Sequence, residues 1–326
     1  MNNPLHVIAI GNALVDVLAQ AKDAFLANQK IVKGSMNLID GPRAQALYAD
    51  MGPAVECSGG SAANTVAGIA SLGGKAAFVG KVSNDQLGEI FRHDIRSLGV
   101  EFDTAPASGP DPTGRCLVFV TPDAQRTMQT CLGSAGQVSP ADVDPVKFQR
   151  AQITYLEGYL WDQPHTKQAF LKAAEIAHLA DRKVALSLSD KFCVDRHRAE
   201  FLDLVHGHVD VLFANEQEII ALYECRTFDE ALGAVRGKCD LAVLTRSEKG
   251  AVIVTPDQTI TVKAQPVAKV VDTTGAGDLF AAGFLYGLTH GKSPAECGRI
   301  AGICAAEIIS HVGARPETSL AKLIKT

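Results

Sequence analysis

The sequence predicts an α/β fold in which a parallel sheet is flanked by helices and a small β-sheet projects from it as a lid. Three observations carry that expectation. From residue 152 onward short apolar runs alternate with amphipathic helical patterns, the βαβ rhythm of a parallel sheet. Those runs are apolar at successive positions, as strands covered on both faces must be. Before residue 135, by contrast, the β-like segments are broken by Gly and Pro and show no intervening helices.

The elements follow in order. Val7-Ile8-Ala9-Ile10 opens the main sheet. Residues 31–39, 115–120 and 127–132 read as a small antiparallel sheet projecting from the main domain, with 106–112 as a loop insertion. The lid is expected from segments of about 14–40 and 100–134 within a single domain spanning 1–326. Residues 65–72 form a helix of small residues with Val66, Ile69 and Leu72 on its apolar side, stopped at Gly73. Strands at 153–156, 184–188, 209–213 and 241–244 then alternate with helices at 165–180, 196–206, from 216 and at 228–237. A last strand-like run, Val267 to Val271, leads to an apolar helix beginning at Leu279. Ligands of such sheets gather at the strands' carboxyl ends, so the loops after Leu188, Phe213, Leu244 and Val271 are the places to seek function.

Composition narrows the partners. The chain has 326 residues, 47% of them hydrophobic, enough for a sizeable core. A formal net charge of −5 with dispersed Lys and Arg argues against a nucleic-acid surface. No run approaches the ~18 apolar residues of a membrane span. The eight cysteines show no C-x-x-C pair or zinc spacing and read as reduced, mostly buried thiols. No basic segment followed by a long apolar one precedes the first strand, which leads to the expectation of a cytoplasmic protein.

The junction Asp272-Thr273-Thr274-Gly275-Ala276-Gly277-Asp278 is the most informative segment. Two glycines let successive N–H groups converge on one point, and the helix that follows adds the positive end of its dipole. That makes an anion site. Asp278 is an odd residue there unless it faces the group that attacks a bound phosphate, as a phosphoryl-transfer base does. A simple helix cap accounts for Asp278 equally well from these residues alone. The dinucleotide pattern G-x-G-x-x-G fails at Phe280, and a Walker loop ending in Gly291-Lys292-Ser293 fails because Tyr286 stands where its first glycine should be.

A second glycine element, Gly59-Gly60-Ser61-Ala62-Ala63-Asn64, opens the helix at 65–72. A polar ligand could approach this helix end closely, with Asn64 donating and accepting toward sugar hydroxyls. Taken alone, an ordinary tight turn with Asn64 as a local cap is the simpler account.

Together, Gly59 to Asn64 and Asp272 to Asp278 resemble the two signatures of the ribokinase (PfkB-type) carbohydrate and nucleoside kinases. Their order and separation fit. Gly11-Asn12-Ala13-Leu14-Val15-Asp16 and the N-x-x-E element Asn215-Glu216-Gln217-Glu218 extend the resemblance over Ile8 to Gly313. Within the family, Leu186-Ser187-Leu188-Ser189, Asp210 to Glu216 and Gly283 to Gly287 look like the branch acting on adenosine, whereas its sugar kinases commonly end the first of these strands in Asn.

The resemblance implies transfer of the γ-phosphoryl group of ATP to the 5′-hydroxyl of a nucleoside, adenosine foremost. Asp278 would be the base, ionised at pH 7 with an ordinary aspartate pKa of about 4. The N–H groups of Gly275, Ala276 and Gly277, with that of Asp278, would form the anion hole. Asp16 would accept from the ribose 2′ and 3′ hydroxyls, with Asn64 and the Gly59-Gly60 backbone completing the site and Asn12 meeting the base. Asn215, Thr245 and Gly250 would contact ATP, although Ser247 departs from the T-x-G-x-x-G pattern of that loop. Glu218 would orient waters on Mg²⁺, an exposed charge on a helix's first turn being its rival reading. Asp272, Thr274 and the 309–313 loop would hold a monovalent cation, K⁺. Arg126, in Asp123-Ala124-Gln125-Arg126, could swing toward the phosphates, but an exposed hairpin arginine is the simpler reading.

The implied partners are a small-molecule nucleoside or sugar, with neither nucleic acid nor membrane. The lid would serve as a monomer's cover or a homodimer's clasp. Other nucleosides (inosine, guanosine, cytidine), ribose or a ketose phosphate are the rivals within the class. A non-catalytic nucleotide sensor is the rival outside it.

Overall fold

A computed structural model of the chain describes residues 4–123 and 125–325; Ala124 of the hairpin lies outside them. Thirteen strands among these residues form two sheets. They are β1 (Leu5–Ile10), β2 (Leu14–Gln20), β3 (Met36–Leu38), β4 (Ala54–Gly59), β5 (Ala76–Val79), β6 (Gly114–Val120) and β7 (Arg126–Cys131), followed by β8 (Ala151–Glu157), β9 (Lys183–Ser187), β10 (Val211–Asn215), β11 (Leu241–Thr245), β12 (Ala251–Val254) and β13 (Thr259–Val262).

The large sheet runs β13-β12-β11-β10-β9-β8-β1-β5, parallel from β11 to β5 with an antiparallel edge at β12 and β13. Its side chains divide by strand alternation: Val7 and Ala9 enter one core, and Ile8 and Ile10 the other. Helices cover both faces, as the doubly apolar strands require.

The small sheet runs β3-β7-β6-β2-β4. Here the structure corrects the expectation of an antiparallel sheet, because β2 pairs parallel with β6 and β3 parallel with β7. Between β2 and β6 the chain crosses to the large sheet and back through β5 and the helix Gln86–Ser97, and a connection of that length permits parallel pairing. The expectation of no intervening helices fails with it: Asp23–Asn28, Gly41–Asp50 and Gln86–Ser97 are all helical. Gln86–Ser97 buries Leu87, Phe91 and Ile95 at four-residue spacing behind an Asp85 cap. Within residues 31–39 only Met36–Leu38 is strand.

One face of the small sheet, with Val15, Val17, Leu117 and Phe119, joins the core of the large one. The opposite face carries Asp16, Leu18, Cys57, Cys116, Val118 and Met128 and lines a cleft.

Val267 to Val271 is not a strand. It lies in irregular backbone held by the Val271 N–H on the Ile309 carbonyl at 2.8 Å, and Val270 is exposed. The helix after it begins at Ala276 rather than Leu279 and runs to Thr289. It is buried on nearly all sides by small residues: a Cβ on Gly283 would lie 2.7 Å from Ala301 Cα, and one on Gly287 would lie 2.9 Å from Cys297 Sγ. The helix Ser61–Ser71 crosses it at Gly68, where a Cβ would come within 2.7 Å of Ala282 Cβ.

Candidate active site

The cleft, of about 1050 Å³, opens at the carboxyl ends of the large sheet's strands beneath the small sheet. Its walls include Asn12, Asp16, Gly60, Asn64, Asn215, Glu218, Thr245, Thr274 and Gly275 to Asp278. Gly59, Gly250 and Asp272 are not among its lining residues.

At one end, Gly275 caps the helix Ala276–Thr289 in a left-handed conformation, φ 78°. The Ala276 N–H is committed to the Thr273 carbonyl at 3.2 Å. Among the described residues the N–H groups of Gly275, Gly277 and Asp278 find no acceptor, so the loop presents these three rather than the expected set that includes Ala276. Asp278, in the first helical turn, is not the cap. Its carboxylate accepts from Ser61 Oγ at 2.6 Å and Asn64 Nδ2 at 2.9 Å. The two glycine motifs, more than 200 residues apart in sequence, therefore meet at one carboxylate. This also corrects the local-cap reading of Asn64.

Burial pushes the Asp278 pKa upward, against the hydrogen bonds from Ser61 and Asn64 and the charge of Arg315. An ordinary aspartate pKa therefore does not describe it.

Toward the small sheet, Asp16 lies on β2 between Cys57 and Cys116 of the neighbouring strands. Gly59 lacks a side chain because that space is the carboxylate's: a Cβ would sit 2.4 Å from Asp16 Cγ. Gly60, at φ 98°, would place one 2.1 Å from the Asn12 carbonyl oxygen. Among the described residues nothing donates a hydrogen bond to the Asp16 carboxylate. Burial raises its pKa to about 6, with Arg315 and then Arg126 opposing.

Asn12 is held by its Nδ2 and backbone N–H, which donate to Glu157 Oε1 at 2.7 and 3.3 Å, while Ala62 N–H donates to Glu157 Oε2 at 2.8 Å. Glu157 thus ties the loop after β1 to the helix Ser61–Ser71, and burial raises its pKa to about 7. Among the described residues the Oδ1 atoms of Asn12 and Asn64 are buried without a hydrogen-bond partner.

The far end is built from β10 and β11. Asn215 caps the helix Glu216–Leu222 and exchanges hydrogen bonds with Glu218, which is 5% exposed rather than an open surface charge. Burial raises the Glu218 pKa to about 7. After Thr245, Ser247 adopts a left-handed φ of 51° where the family pattern has glycine, and Gly250, at φ 85°, packs on the Val262 carbonyl.

Arg126 is not an exposed hairpin residue. It reaches from β7 to pair with Asp272 at 2.7 Å and donate to Thr274 Oγ1 at 2.9 Å. Asp272 also accepts from the N–H groups of Thr274 and Gly313, at 3.0 and 2.9 Å. Ser61, Glu157 and Arg315 are the site residues that sequence reasoning did not single out. Ser61 stood inside a quoted motif; the other two carry no local signal.

A family model for pfkB family carbohydrate kinases matches residues 52–320, a stretch that holds both glycine motifs. The chain belongs to the PfkB family. Among solved structures this PfkB kinase is 51% identical to an adenosine kinase from Sinorhizobium meliloti, with a TM-score of 0.92 and 99% of each chain covered. It is 50% identical to a protein described as a probable sugar kinase from Rhizobium etli CFN 42, with a TM-score of 0.93, covering 99% of this chain and 98% of that one. An adenosine kinase of Saccharomyces cerevisiae is 27% identical over 315 residues, 90% of each protein. The ribokinase-like α/β fold and the kinase class expected from the motifs are both borne out. No helix among the described residues is long and apolar enough to cross a membrane.

Proposed function

We propose that this PfkB kinase phosphorylates the 5′-hydroxyl of a nucleoside, adenosine in the first place, forming AMP and ADP from adenosine and ATP. The observation that carries this reading is the position of Asp278, at the helix end that presents free N–H groups and hydrogen-bonded to the first turn of the acceptor helix. A base set between an anion site and an alcohol site is what in-line phosphoryl transfer needs.

The O5′ atom bonds to the γ-phosphorus as the bond to the β,γ-bridging oxygen breaks. Its proton passes to Asp278, and the open N–H groups of Gly275, Gly277 and Asp278 meet the charge on the migrating group. Ser61 and Asn64 hold the carboxylate toward the acceptor. Asp16, lacking any donor among the described residues, is suited to a vicinal diol, and the Oδ1 atoms of Asn12 and Asn64 are further acceptors for hydroxyl or amino groups.

The apolar cleft face of the small sheet, with Leu18, Val118 and Met128, suits a flat base more than a free sugar. The adenosine kinases among the relatives support the same choice. Such an enzyme would return free nucleoside to the nucleotide pool, a purine-salvage step in the cytoplasm.

ATP would lie toward Asn215, Thr245 and Gly250. Among the described residues no group of three His, Cys, Asp or Glu could ligate a metal directly, so Mg²⁺ fits as an ion carried on the ATP phosphates with its waters. Both oxygens of Glu218 already accept from Asn215, so its part would be to keep Asn215 oriented and to meet those waters. Asp272 and Thr274 are the groups assigned to K⁺, although Arg126 meets the Asp272 charge in this structure. Comparing turnover in K⁺ with turnover in a tetraalkylammonium salt tests that assignment.

The deciding experiment is an ATP-coupled assay over adenosine, inosine, guanosine, cytidine and ribose, with Asp278→Asn as control. Adenosine is expected to give the highest kcat/KM. Turnover of ribose without turnover of adenosine overturns the substrate assignment. Binding of ATP and adenosine without any ADP release overturns the kinase reading.

A further inference from the structure

Three consecutive residues near the C-terminus touch both glycine elements of the site. The Gly313 N–H donates to Asp272, and Ala314 packs on Gly275 so closely that a Cβ there would lie 3.0 Å from Ala314 Cα. Arg315 then donates through Nε and Nη2 to the Ser58 carbonyl at 3.1 and 2.7 Å, through Nη2 to Ser58 Oγ at 2.8 Å, and through Nη1 to the Ala63 carbonyl at 2.7 Å. Ser58 and Ala63 bracket Gly59 and Gly60. One guanidinium therefore clamps both ends of the acceptor turn from a loop that is itself anchored to the anion site.

Those contacts occupy four of the five N–H donors of an arginine. Too few remain for a two-pronged grip on a phosphate. Among the described residues no carboxylate stands within ion-pair distance of Arg315, yet Asp16, Asp94 and Asp278 all lie within the reach of its charge. A cation in a cleft wall without a direct counter-ion costs stability. Here its field falls on two acids that the reaction needs as anions.

We propose that Arg315 is a positioning residue for phosphoryl transfer, which sets the acceptor turn against the anion site and supplies the positive charge shared by Asp16 and Asp278. This rests on the kinase reading, in which Asp278 takes the acceptor's proton and Asp16 holds its hydroxyls. Asp16 is faced by Arg315, Arg126 and Asp278, with the Cys57 and Cys116 thiols on the flanking strands. Asp278 is faced by Arg315, by Asp16 from β2, by Tyr155 and Glu157 from β8 and by Tyr159 just after it. Arg315 is the cation that acts on both. Its charge opposes the upward push of burial at each of them.

The test uses full-length Arg315→Met and Arg315→Lys enzymes, with KM, kcat and the pH profile of kcat/KM read on adenosine. The Met variant is expected to lose about 10²-fold in kcat/KM, the scale of a misplaced reacting group, and to show its acid limb moved to higher pH. The Lys variant is expected to restore the position of the limb while the adenosine KM stays raised, because one ammonium cannot bridge the Ser58 and Ala63 carbonyls in the guanidinium's geometry. A purely structural role would lower activity with melting temperature and leave the limb in place. A folded Met variant with the wild-type limb overturns the proposal, and if that variant does not fold, a Lys variant with wild-type KM overturns it. Asp278→Asn separates the two readings: an active Asp278→Asn enzyme defeats the kinase role of Asp278, whereas an inactive one beside an unmoved limb defeats only the role of Arg315.

Discussion

The large sheet and the small sheet are built on different terms. The large one is covered on both faces, its alternate residues feeding two separate cores, and the anion loop sits against it on a helix buried on nearly all sides. The small one commits a single face to the core through Val15, Val17, Leu117 and Phe119, and turns the other, with Asp16, toward the cleft. The difference separates two tasks. In the proposed reaction the doubly covered region would hold the reacting phosphorus and the base, and the singly covered one would select the acceptor. Arg126 on Asp272 and Arg315 on Ser58 are polar ties between them.

The largest expected effect tests whether the tasks are separate. Asp278→Asn should lower kcat by about 10²–10⁴-fold while adenosine affinity, followed by calorimetry, stays within a few-fold. An equal loss of affinity would mean that the two ends are not distinct. Gly60→Ala approaches from the other side, because its methyl group would meet the Asn12 carbonyl at 2.1 Å in a left-handed backbone. It should raise the adenosine KM by about 10²-fold and leave the ATP KM near wild type, which steady-state kinetics in both substrates would read. Arg126→Met cuts one tie and leaves Asp272 buried with only two backbone donors. The expected cost is about 3 kcal/mol in urea unfolding, with faster ATP hydrolysis in the absence of nucleoside.

The smallest effect concerns pH. Burial raises the pKa of Asp16 to about 6 and those of Glu157 and Glu218 to about 7. Because these folded-state values lie above the ordinary carboxylate range, the groups contribute stability that is fully present below that range and is lost as pH rises through 6 to 7. Acceptor binding by ionised Asp16 runs the opposite way and strengthens as pH rises. Thermal melts at pH 5 and pH 7.5 should therefore show Asp16→Asn gaining on the wild type at the higher pH. A constant difference would mean that Asp16 is not titrating in the folded protein.

Legibility in the sequence followed the range of the interactions. Gly59, Gly60 and Gly275 were readable because a tight turn or a close approach leaves a mark on the residue that makes it. The parallel strands from β8 to β11 were readable because burial on both faces writes a continuous apolar run. The hydrogen bonds of Ser61 and Asn64 to Asp278, and the clamp of Arg315 on Ser58, join residues more than 200 positions apart, and only the topology brings them together. Nor does a sequence tell how deeply a carboxylate is buried, which is why Asp278 was expected to have an ordinary pKa. Ala54–Gly59 escaped notice as a strand because Ala-Val-Glu-Cys-Ser-Gly has little β character of its own. The helix at Gln86–Ser97 did carry its pattern in Leu87, Phe91 and Ile95, behind a capping Asp85.

The crossing of helices Ser61–Ser71 and Ala276–Thr289 at Gly68 leaves no room even for a methyl group. The proposed acceptor turn and base are thus mounted on two rods in direct contact, and the distance between them would behave as a fixed gauge. On the proposed reading a substrate would be measured by the number of atoms between the diol it offers to Asp16 and the hydroxyl it offers to Asp278. An analogue lengthened by one carbon at that arm would overshoot, whereas changes to the base meet only the small sheet. New specificity in such a scaffold is therefore most accessible through the cleft face of β2, β6 and β7, where side chains can vary without altering the gauge.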